Sequence, residues 1–162
     1  MRKVLFLAAL LVGLTVAGPA WAAEDELVVT PQTFTVELGP GVDPSGNPIG
    51  DPDGSGTAEL TVDLKAKTVC YDITVTNIGV PTEPIAGIGN AHIHSHPEGG
   101  AIAVDLDTQF AAVAGVENTY QAKECVKAKR GAVVDILLHP EDYYVNVHTV
   151  NFPGGAVQGD LA

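Results

Sequence analysis

Three runs of alternating, β-branched residues dominate the first half of the chain: TFTVEL (33–38), TAELTVDL (57–64) and TVCYDITVT (68–76), each bounded by Gly, Pro, Asn or Asp. A period of two sends apolar side chains to one face and polar ones to the other, so these runs read as half-buried antiparallel strands. The pattern returns in AHIHSH (91–96) and AIAVDL (101–106), which Pro97, Gly99 and Gly100 would join as a hairpin, and again near 118–126. At the end, YYVNVHTV (143–150) and AVQGDL (156–161) flank NFPGG, where Pro153 then Gly154 suits the centre of a type II turn. The apolar run AVVDILL (132–138), stopped by Pro140, reads as one or two helical turns, although period alone does not separate it from a strand. Seven or eight short strands with turn signals between them predict a β-sandwich. Residues 39–56 and 80–89 are long irregular loops, the first with ten Gly or Pro in eighteen positions.

A chain of 162 residues is one domain's worth, and its net charge of −12 argues against nucleic acid, whose phosphates call for clustered Lys and Arg. Arg2 and Lys3 lead an apolar run that ends in a small-x-small site at Ala20–Trp21–Ala22, the layout of a secretory signal peptide over residues 1–22. The apolar run is shorter than the roughly 20 residues that span a bilayer. The expectation is therefore a secreted or periplasmic domain over 23–162, with no membrane span after cleavage.

Export bears on the two cysteines. In an oxidising compartment Cys70 and Cys125, an even pair without CxxC spacing, read as a structural disulfide, with two buried free thiols as the alternative.

The chemistry concentrates in histidine. His92 and His94 stand at i and i+2 of one strand, so both imidazoles point to one face about 6.6 Å apart along the backbone. His148 lies in a second alternating run, with Tyr144 and Asn146 on its own face. If a sandwich brings the two strands opposite one another, His92, His94 and His148 form a three-imidazole site suited to copper or zinc, with His96 as a further ligand or simply solvated. The competing reading is of histidines that hydrogen-bond in the core or brace loops. His139 precedes a proline and has no assigned role.

Other motifs are weaker. DPDGSG (51–56) begins like an EF-hand, but its twelfth position is Val62 where a bidentate Glu is required, so an Asp/Gly turn is the better reading. Lys123, Lys127, Lys129 and Arg130 are a short basic group that reads as a solvated face. There is no nucleophile elbow, phosphate loop, HExxH or CxxC.

AHIH (91–94), the run HPEDYYVNVHTVNFPGGAVQGDL (139–161), and DPDGSGTAELTVDL with VCYDITV before them resemble bacterial CHRD domains, the domain named after chordin. The resemblance spans about 33–161. It implies an all-β, antiparallel Greek-key β-sandwich, superoxide-dismutase-like or immunoglobulin-like, with one short helix and long loops. It also implies a pair at Cys70 and Cys125, and a non-catalytic module whose partner is an extracytoplasmic protein or ligand. Ser95 and His96 follow AHIH where such domains run to glycine, and Gln158 and Asp160 replace their polar pair. The AHIH strand is also similar to the His-x-His strand of copper/zinc superoxide dismutases, which keeps a copper carrier or copper enzyme as the alternative function. No second His/Asp cluster or guiding Arg accompanies it.

Overall fold

The computed structural model describes residues 30–79, 90–106 and 108–162. The expected signal peptide and the second irregular loop, 80–89, lie outside them. Among the described residues nine strands form one antiparallel sheet: β1 (Gln32–Pro40), β2 (Ser55–Asp63), β3 (Thr68–Thr76), β4 (Ala91–Ser95), β5 (Ile102–Asp105), β6 (Ala111–Ala112), β7 (Thr119–Lys127), β8 (Tyr143–Val147) and β9 (Val157–Asp160). Their order is β5-β4-β8-β9-β1-β2-β3-β7-β6. The hinge of this curled, sandwich-like sheet is β1: residues 32–38 pair with β2, while Gly39 and Pro40 pair with β9. The chain crosses between the two halves after β3, after β5 and after β7, the over-and-back path a two-layered body requires.

Alternation sets the core. Ala58, Leu60 and Val62 of β2, Val69, Ile73 and Val75 of β3, Ile93 of β4, and Val145 and Val147 of β8 are fully buried in one cluster. The apolar run before Pro140 is helical: α1 (Arg130–Leu138) sends Val133 and Ile136 into that core. A 3-10 turn at Pro140–Asp142 leads into β8.

The polar faces of the two halves differ. Around β2, β3 and β7 the polar face meets solvent; there Lys123 pairs with Asp72 at 2.8 Å and its ammonium holds that carboxyl below the usual carboxylate range. Lys127 donates to the Ala66 carbonyl. On this face Cys70 and Cys125, direct partners in the β3–β7 ladder, form a disulfide with an S–S distance of 2.05 Å. On β4 and β8, by contrast, residues of both faces are buried.

The turn at 151–155 departs from expectation. Gly155 N–H donates to the Phe152 carbonyl at 3.1 Å, so Pro153 and Gly154 are the central residues, yet the positive φ (128°) belongs to Gly155 and not to Gly154. A type II turn requires it at the second central residue, so this turn is of another type.

Candidate metal centre

β4 and β8 are hydrogen-bonded neighbours, with His92 opposite Asn146 and His94 opposite Tyr144. The histidines therefore meet along one ladder of a single half, and not across the sandwich interior as the sequence suggested. Opposed residues share a face. The face presented here is the one turned away from the core, because Ala91, Ile93, Val145 and Val147 take the inner one. His148 lies one residue beyond β8, where its N–H donates to the Asn90 carbonyl at 2.7 Å and prolongs the ladder.

Two loops cover this face. The turn at 96–100 reaches over Tyr144, whose hydroxyl accepts the Gly99 N–H at 2.7 Å. The 149–155 loop reaches over Asn146, whose Nδ2 donates to the Gly154 carbonyl at 3.2 Å. The result is three nearly inaccessible imidazoles: His92 is 1%, His94 8% and His148 8% exposed. Ring centroids are 5.4 Å apart for His92 and His94, 5.0 Å for His92 and His148, and 6.1 Å for His94 and His148. One nitrogen from each ring lies within 4.8 Å of the others.

The loop carbonyls assign the tautomers. His94 Nδ1 is 2.9 Å from the Gly100 carbonyl and His148 Nδ1 is 3.0 Å from the Pro153 carbonyl. A carbonyl only accepts, so each Nδ1 carries a proton, and in the neutral ring Nε2 then holds the lone pair. Both Nε2 atoms are buried and, among the described residues, neither has a hydrogen-bond partner. Burial first, with the neighbouring His94, pushes the His148 pKa below its ordinary value, against the Pro153 hydrogen bond, which favours the protonated ring. His92 Nε2 lies 3.9 Å from a carboxylate oxygen of Asp105, its partner on β5. A register shift between Ile93 and His94 breaks the β4–β5 ladder beside the site.

His96 lies outside the group. Its Nε2 is 3.2 Å from Asp160 and its Nδ1 3.7 Å from Glu98, while its ring packs against Tyr144 with centroids 5.0 Å apart. His139 is half exposed at the end of α1. Asp51 and Asp53 form a turn: the Asp53 N–H donates to the Asp51 side chain and the Gly54 N–H to the Asp51 carbonyl. Sequence reasoning placed Tyr144 and Asn146 on the His148 face but gave neither a role; the signal for one was two polar side chains in a run whose other residues are apolar.

Three buried imidazoles, two with Nδ1–H anchored to main-chain carbonyls, are a donor set of the type that holds copper or zinc. Nitrogens sharing one ion at about 2.0–2.1 Å sit roughly 3.5 Å apart, so small inward ring pivots suffice for a fit.

A search of curated proteins and one of solved structures gave no match. A family model, the CHRD domain, matches residues 36–161, which takes in every strand that forms the buried polar face and both loops that cover it. The chain belongs to the CHRD-domain family.

Proposed function

We propose that this chain is an exported CHRD-domain module that holds one copper or zinc ion on His92, His94 and His148 and acts by binding an extracytoplasmic partner or ligand, without turnover of its own. The observation that carries the metal assignment is the pair of buried Nε2 lone pairs on His94 and His148, each turned inward because a loop carbonyl holds the opposite nitrogen's proton. Burying acceptors with no donor is costly, and a cation removes that cost. Export is supported by the charged-then-apolar leader, by the disulfide, and by the family. Among the described residues no helix is long and apolar enough to cross a membrane.

Calorimetric titration with copper and zinc at neutral pH tests the metal assignment. One equivalent bound by the wild type and none by a triple His→Ala variant at the three positions is the expected result; identical heats would overturn it. Affinity should fall below about pH 6, where imidazoles take up protons. Elemental analysis of protein from its native compartment names the ion, and reproducible turnover by metal-loaded protein would replace the binding role with a copper-enzyme role. Intact mass of the exported protein beginning at Ala23 tests the leader.

A further inference from the structure

Asn146 stands at the centre of the buried polar face. It is the direct cross-strand partner of His92, and Tyr144 and His148 flank it two residues away on the same face, with His94 on the diagonal. Opposed side chains leave the backbone about 4.5–5.5 Å apart at Cβ and diagonal ones roughly 7 Å apart, so Asn146 is within reach of whatever the imidazoles hold. The side chain is 4% exposed. Its nitrogen end is identified by the Gly154 carbonyl, which can only accept, so Oδ1 is the end turned away from that carbonyl. Among the described residues no donor reaches Oδ1.

Three buried acceptors thus share one face: His94 Nε2, His148 Nε2 and Asn146 Oδ1. They differ in chemistry. Imidazole nitrogens suit copper or zinc, whereas an amide oxygen is a poor ligand for those ions and a good hydrogen-bond acceptor. Three protein ligands leave a fourth position for an exogenous group. We propose that Asn146 selects that group: its Oδ1 accepts a hydrogen bond from a protic ligand, water or hydroxide, and disfavours aprotic anions, whose lone pairs would face the amide oxygen. This inference rests on the metal-binding reading above.

Cobalt(II), whose visible bands report its ligands, serves as the probe, with azide as the aprotic anion. Azide should bind cobalt-loaded Asn146→Ala about tenfold more tightly than cobalt-loaded wild type, one hydrogen bond's worth of discrimination. Asn146→Asp, which keeps an acceptor, should bind azide no more tightly than wild type. Equal azide affinity in wild type and Asn146→Ala would overturn the inference and leave the metal site standing, whereas a wild type that takes up no cobalt would remove the metal site itself. A crystal structure of zinc-loaded wild type gives a second reading that does not depend on the variants folding. A solvent ligand on zinc within about 3.2 Å of Oδ1 supports the assignment; Oδ1 bound directly to zinc, or no solvent ligand beside it, overturns it.

Discussion

The imidazole of His94 lies almost flat on the ring of Tyr144, with 17° between the planes and 5.3 Å between the centroids, as direct partners in the β4–β8 ladder. The stack and the Gly100 carbonyl together fix the plane and the tautomer of His94. Tyr144→Phe keeps the stack and removes the acceptor of the Gly99 N–H. Urea unfolding should show a loss of about 1 kcal/mol, with metal affinity by calorimetry within threefold of wild type. Tyr144→Ala should cost about 3–5 kcal/mol and lower metal affinity by about tenfold or more.

Gly155 should tolerate no side chain. A Cβ there would sit 2.3 Å from Asn146 Oδ1 and 2.7 Å from its Nδ2, and the backbone φ is 128°. Gly155→Ala combines a clash against a buried amide with backbone strain, a loss of about 1–3 kcal/mol from the strain alone. Gly46, with φ 79° and nothing within 4 Å of the added carbon, is the control. Thermal unfolding should rank Gly155→Ala well below Gly46→Ala; equal melting temperatures would count against the described packing of loop 149–155.

Alkaline stability should depend on Tyr143. Burial first, then its 2.5 Å hydrogen bond to Asp135 on α1, pushes its phenol up to about 12. A raised pKa means that the fold favours the neutral phenol. Its contribution is therefore complete below about pH 10, the unfolded value, and is lost as pH rises through about 12. Unfolding measured from pH 8 to 12 should show wild type losing stability above pH 10, and Tyr143→Phe, less stable at pH 8, losing less over the same interval.

Reduction of Cys70–Cys125 should destabilise without relocating the histidines. The bridge closes 55 residues of sequence separation, worth about 4 kcal/mol in the chain-entropy treatment. It sits on the solvent-facing side of β3 and β7, in the other half of the sheet from the triad. A Cys70→Ala, Cys125→Ala variant should melt at lower temperature and bind zinc with wild-type stoichiometry, both read by calorimetry.

Much of this architecture is written in local alternation. The run at 68–76 is β3 residue for residue, and His92 and His94 share a face because two-residue spacing demands it. What escaped was decided by distant partners. The two-residue β6 exists only because Ala111 and Ala112 meet Gln121 and Tyr120 of β7. His148 falls beyond the strand predicted to carry it, since β8 ends where the chain turns toward Thr149. Nothing in the HxH spacing says that its face would be covered, because the cover comes from loops 96–100 and 149–155, and nothing in it says whether the partner strand is adjacent or across the interior. The type II turn failed because the left-handed residue moved one place, to where Gly155 packs on Asn146.

The groups that hold His94 and His148 in their tautomers belong to the main chain of Gly100 and Pro153, not to any side chain. Which nitrogen keeps its proton is thus a property of loop shape, and outward-pointing positions such as Val150, 64% exposed, could be rewritten to graft new recognition onto the rim while the imidazoles beneath stay in register.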